Sequence, residues 1–99
     1  MTELTPLEAR RAEVAQYQAN IAMYESISAT LPTEWPDHLL QYKTATDRHA
    51  TIGQVENLDD VALLSDLWTG DDCRKAIRTE TLEMRKASAI LAVLEAQAI

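Results

Sequence analysis

The chain has 99 residues, with 16 acidic and 9 basic side chains and a net charge of −7. This length allows one domain or an elongated hairpin of helices. The acid excess argues against direct binding to nucleic acid or to an anionic membrane, because both require a basic surface. The absence of Phe and the presence of only two Gly and three Pro favour helices over strands. We therefore expect a single all-helical domain over residues 1–99.

Targeting and redox signals are scarce in the sequence. There is no stretch of about 18 apolar residues, the length needed to cross a bilayer. Residues 1–4 lack the basic and apolar regions of a signal peptide. The single Cys73 cannot form an internal disulfide, so the predicted compartment is the cytoplasm.

The first helix is predicted to run from Pro6 to about Ala29. Thr5 is suited to the N-cap, Pro6 to the first helical position, and Glu8 to the third position of a capping box. The run 31–36 contains two prolines and breaks the helix.

Three further helices are predicted after this break. The second begins at Pro36-Asp37 and ends near Gly53 or Val55. A short third helix follows Asn57, whose side chain can cap it, and Gly70 is placed just past its end. The last helix is predicted from about Asp71 to Gln97. We expect its final turns to be buried because Ile90 and Val93 make them apolar nearly all round.

Apolar residues recur on the two long helices with the seven-residue spacing of coiled coils. Each of these helices would be about 36 Å long, too long for a compact domain of this size. We therefore predict an elongated bundle of two long terminal helices and two shorter ones, which self-associates as a homodimer or larger oligomer. The residues assigned to self-association are Leu7, Val14, Tyr17, Ile21, Tyr24, Met84, Leu91 and Leu94. Glu80 interrupts the second stripe and weakens its middle.

The charge is distributed unevenly along the chain. Residues 1–36 carry −3, residues 37–55 carry 0, residues 56–73 carry −6 and residues 74–99 carry +2, which together give −7. Acids in first helical turns are stabilising by themselves, so the simplest role of the acidic segment is to cap helices and solvate a surface. The alternative is an acidic recognition surface for a basic protein partner. The residues assigned to it are Glu56, Asp59, Asp60, Asp66, Asp71 and Asp72.

Other candidate sites carry weaker signals. His38 and His49 would lie about 16 Å apart on one helix, too far to share a metal ion. The third helix, the turn at Thr69-Gly70 and the basic run 74–78 imitate a DNA-binding helix-turn-helix, although the acids at 71–72 oppose entry into the groove.

Two acidic pairs are a further possibility for chemistry. Glu56 with Asp59, and Glu80 with Glu83, have a spacing found in metal-dependent all-α nucleotide pyrophosphatases, whose full motif is not met. Trp35 and Trp68 are expected to close the ends of a small core, or to anchor an interface.

The sequence as a whole favours a non-enzymatic interaction or regulatory protein without cofactor or metal. Its partners would be a second copy of itself and a basic protein, with no nucleic acid and no membrane. The alternatives are an inhibitor that mimics the charge of nucleic acid, a helix-turn-helix regulator and a metal-dependent pyrophosphatase. In genre, though not in any motif, the chain resembles small acidic accessory proteins of bacteria and their phages.

Overall fold

The computed structural model describes residues 5–97, and over that range it contains helices and connecting loops but no strand. Helix α1 spans Pro6–Ser28, a 3₁₀ helix spans Asp37–Tyr42, α2 spans Arg48–Gln54 and α3 spans Leu58–Gln97. The molecule is elongated, as predicted, with a radius of gyration of 19.4 Å and a longest dimension of 63 Å. A compact chain of this length would have a radius of gyration near 13 Å.

Local capping signals define the starts of both long helices. The Thr5 side chain accepts a hydrogen bond from the Glu8 backbone N–H at 3.2 Å, and Pro6 occupies the first turn of α1. The Asn57 side chain accepts from the N–H groups of Asp59 and Asp60 at 2.8 and 3.3 Å. These bonds satisfy N–H groups that have no partner within the helix, so both predicted starts are confirmed.

The predicted second helix is wrong, because the chain forms two short helices there. The 3₁₀ helix ends at Tyr42, and α2 begins only at Arg48. Asp47 separates them, since its side chain accepts from the Ala50 N–H at 3.0 Å and caps a new helix. Asp and Thr side chains compete with the helical backbone for hydrogen bonds, and the run 44–47 contains three of them.

The predicted turn at Gly70 is also wrong. Helix α3 continues through this residue for 40 residues in all, about 60 Å, and no glycine in the described chain has a positive φ. Gly70 is buried, and a Cβ atom placed on it would lie 3.3 Å from the Pro32 carbonyl oxygen and 3.2 Å from the Arg74 guanidinium. Glycine therefore allows a close approach between backbones here, and it does not end the helix.

The structure has two parts, which we call the head and the arm. The head comprises residues 29–72, in which the connecting segment with its two short helices packs on the first half of α3. The arm comprises α1 packed antiparallel on residues 73–97. The head contains most of the fully buried side chains, namely Leu39, Leu64, Leu67 and Trp68. Cys73 is buried where head and arm join.

Contacts along the arm define the pairing of its helices. Arg11 and Glu95 form an ion pair of 3.6 Å near its free end, and Asn20 donates to Glu80 at 3.5 Å near its middle. Ala87 is the one arm residue beyond Cys73 that is fully buried among those described. None of the helices over residues 5–97 combines the length and the apolar character required to span a bilayer.

Candidate interaction surfaces

Half of the acidic recognition surface is occupied by partners within the chain. His38 Nε2 lies 3.0 Å from Asp60, and Trp35 donates to Asp71 at 3.0 Å. Asp72 accepts hydrogen bonds from two guanidinium nitrogens of Arg48, at 2.6 and 3.0 Å. These three carboxylates fasten the connecting segment to α3, a role that their sequence positions did not reveal.

The remaining acids of this set form a smaller surface. Glu56, Asp59 and Asp66 are exposed, and no basic nitrogen of residues 5–97 lies within 4 Å of their carboxylates. Asp59 and Asp66 are seven residues apart on α3, so they share one helix face about 10 Å apart. We call these three residues the open acidic surface.

Arg48 is the centre of a polar cluster in the head. Its guanidinium lies 5.2 Å above the ring of Trp68, and its bidentate bond to Asp72 holds the pKa of that carboxyl below its usual value. The same bond, more than any other effect, raises the pKa of Arg48. Trp68 donates to the Tyr42 carbonyl at 3.3 Å, so one cluster connects the 3₁₀ helix, α2 and α3.

A second cluster contains the other tryptophan. One carboxylate oxygen of Asp71 accepts a hydrogen bond from the Trp35 indole N–H, and the other accepts one from the Arg74 guanidinium. Trp68 is buried in the head core, the first of the two roles predicted for the tryptophans, whereas Trp35 is half-buried. Both use the indole N–H in a hydrogen bond, as buried tryptophans usually do.

The residues assigned to self-association lie together in the seam of the arm. All eight are half-buried, since a pair of helices can enclose its seam only partly: Leu7, Val14, Tyr17, Ile21, Tyr24, Met84, Leu91 and Leu94. Glu80 is in this seam as predicted. Partial burial, and then the charges of Glu13 and Glu83, raises the pKa of Tyr17.

Large apolar side chains remain exposed outside the seam. On the arm these are Met23 at 50%, Ile27 at 43%, Leu82 at 53%, Ile90 at 42% and Val93 at 57% relative exposure. The expectation that the final turns of α3 are buried is wrong within one chain, because only α1 packs on this half of the helix.

The metal-dependent pyrophosphatase and the helix-turn-helix regulator find little geometric support. Asp59 and Glu83 are 24 residues apart on the continuous α3, which places the two acidic pairs about 36 Å apart. No group of three or more metal-ligating residues forms a site within the described part of the chain. The helix-turn-helix interpretation required a turn at Gly70, where α3 is unbroken.

Comparison with protein-family models, with curated proteins and with solved structures found no match to this chain.

Proposed function

We propose that the protein is a non-enzymatic, homodimeric interaction protein whose arm binds a second copy of itself and whose head presents the open acidic surface to a basic partner. The observation that carries the proposal is the exposure of Met23, Ile27, Ile90 and Val93 on the arm. Their spacing puts these four side chains on one flat side of the arm, whereas the exposed Leu82 lies outside it.

The two flat sides of the arm can be told apart from its ionic contacts. Arg11 and Glu95 meet on one side. Glu13 is two residues after Arg11, about 200° further round α1, and therefore lies on the other side. The charges of Glu13 and Glu83 both act on Tyr17, so Glu83 is assigned to the Glu13 side. Seven-residue steps preserve a position on a coiled-coil helix. Ile27, two such steps after Glu13, therefore lies on the Glu13 side.

Ile90 lies on the same side, since it is one seven-residue step after Glu83. Met23 and Val93 neighbour Ile27 and Ile90 at helical spacings of four and three residues. We call the surface formed by these four exposed residues the apolar side. It has one apolar pair near the head and another near the free end, about 20 Å apart along the arm.

The region between the two pairs is polar but electrically balanced. Lys86 lies 3.4 Å from Glu83, and Gln16 donates to Asn20 at 2.9 Å. A second arm can stack on this side in the opposite direction. The pair Met23 and Ile27 of each copy then lies in the same layer as the pair Ile90 and Val93 of the other copy. Such a two-fold arrangement is self-complementary and completes a four-helix bundle.

Charge favours this antiparallel arrangement over a parallel one. Parallel stacking would put two heads side by side, each with the acidic segment that carries −6 over residues 56–73. Antiparallel stacking places them at opposite ends. The stacked surface, about 35 Å long and two helices wide, is close to the roughly 800 Å² per partner of a standard interface.

A charge exchange between two apolar positions tests the dimer and its direction. The wild type is expected to have about twice the 11.1 kDa of one chain by light scattering. Ile27→Glu and Ile90→Lys alone should each shift it towards the monomer. The double variant should recover the dimer, because in the antiparallel arrangement position 27 of each copy lies in the same layer as position 90 of the other, diagonally across the bundle, and the two introduced charges are opposite.

The matched control is Gln18→Glu with Ser88→Lys, which introduces the same charges on the opposite flat side. Gln18 is one seven-residue step from Arg11, and Ser88 is one from Glu95. This control should remain dimeric. A wild type that is monomeric at about 0.1 mM, or a double variant weaker than both single variants, would contradict the antiparallel dimer.

The open acidic surface is tested separately with a lysine-rich peptide as a defined basic probe. Asp59→Asn with Asp66→Asn should weaken binding by about tenfold at low salt, because spaced carboxylates on a rigid helix attract such a partner. Glu8→Gln with Glu25→Gln removes the same charge from exposed positions of the arm. Equal losses in both variants would show that only the net charge matters.

A further inference from the structure

A basic cleft lies where the end of the 3₁₀ helix and the start of α2 approach α3. Its volume is about 390 Å³, within the range of small-molecule sites. Seven charged side chains line it: Lys43, Arg48, Asp71, Asp72, Arg74, Lys75 and Arg78. With five cations and two carboxylates, the lining carries +3 in a chain whose net charge is −7.

The two carboxylates of the cleft are already engaged. Asp72 is bound bidentately by Arg48, and Asp71 is bound by Arg74 and by the Trp35 indole N–H. Each carboxylate thus neutralises one guanidinium and holds it in place. Both guanidinium groups remain partly exposed, with side-chain exposures of 42% for Arg48 and 32% for Arg74.

The other three cations supply the uncompensated charge. Lys43, Lys75 and Arg78 are exposed, and no carboxylate oxygen of residues 5–97 lies within 4 Å of their charged nitrogens. Lys75 and Arg78 are three residues apart on α3, and therefore on neighbouring turns, whereas Lys43 comes from the connecting segment. Cations from two elements converge on one concave surface, which concentrates the positive potential there.

We propose that this cleft binds the phosphate group of a small phosphorylated molecule. A phosphate dianion accepts hydrogen bonds from several directions and is well matched by guanidinium and ammonium donors. The guanidinium groups of Arg48 and Arg74 are already held by Asp72 and Asp71, so they lose little conformational freedom when phosphate binds. A nucleic acid fits less well, because Asp59 and Asp66 of the open acidic surface lie on the same helix and would repel an extended polyanion.

Titrations followed by NMR of the full-length protein in chloride buffer of low ionic strength test this site. Inorganic phosphate should give saturable shifts of cleft resonances, with a dissociation constant of about 1 mM or below, and a nucleoside monophosphate should bind at least as tightly. Lys75→Gln with Arg78→Gln should weaken both by about tenfold, because it removes two of the three uncompensated charges and leaves the pairs of Arg48 and Arg74 intact.

The matched control is Arg11→Gln with Arg85→Gln, which removes the same charge from the arm outside the cleft. It should change phosphate affinity by less than about twofold. Equal weakening by both double variants would overturn the proposal in favour of nonspecific ion attraction. Shifts that do not saturate by about 20 mM phosphate would also overturn it. Stronger binding of an acidic peptide than of either phosphate ligand would assign the cleft to a protein carboxylate instead.

Discussion

Replacing Leu67 with alanine is expected to lower the free energy of unfolding by about 2–5 kcal/mol. Leu67 has no exposed surface and lies among the few fully buried side chains of the head, so the substitution leaves a cavity that the surrounding residues can fill only in part. Because the head holds most of the buried side chains, its loss should unfold the whole chain. Denaturation followed by circular dichroism would measure the change.

Leucines outside the head core provide the comparison for this variant. Leu91→Ala in the half-buried seam should cost less than Leu67→Ala, because its side chain loses less contact. Leu82→Ala should cost less than about 0.5 kcal/mol, since its side chain is largely exposed. A Leu91→Ala variant less stable than Leu67→Ala would show that the arm, and not the head, limits stability.

Replacing Asp72 with proline is expected to destabilise the protein by at least about 3 kcal/mol more than replacing it with alanine. Asp72 lies inside the continuous α3, where proline removes a backbone hydrogen bond and clashes with the preceding turn. The alanine variant is the control, because both changes remove the ion pair with Arg48. If a helix instead began near Asp71, as its sequence signals indicated, proline would fit its first turn.

Thermal unfolding of both variants separates these two outcomes. A proline variant that fails to fold while the alanine variant folds agrees with the unbroken helix. Proline and alanine variants within about 0.5 kcal/mol of each other would contradict it and support the predicted turn.

Interactions between residues close together in the sequence made much of the fold predictable. Thr5 and Asn57 cap helices through side chains that bond to N–H groups two or three residues later, so a single local pattern contains all the information. The elongated shape followed from helix length and heptad spacing in the same way. The same local rule applies to Asp47, whose side chain caps α2, although apolar residues continue at helical spacing on both sides of it.

Gly70 shows why the rest could not be predicted. A glycine after an apolar run and before two acids is the usual pattern of a helix end followed by a new start. Its actual role depends on the Pro32 carbonyl, 38 positions earlier, and no local pattern encodes that approach. The ion pair between Arg48 and Asp72 is also distant in sequence, so the acidic segment looked more open than it is.

The continuity of α3 also determines how far apart two binding events can occur. A helix without a hinge keeps its two ends at a fixed distance. The arm and residues Asp59 and Asp66 of the open acidic surface share this one helix. In the proposed antiparallel dimer, the two open acidic surfaces would then be separated by about 70 Å. Such an assembly would act as a molecular ruler, binding two basic partners, or two distant sites on one partner, at a spacing determined by the number of residues in α3.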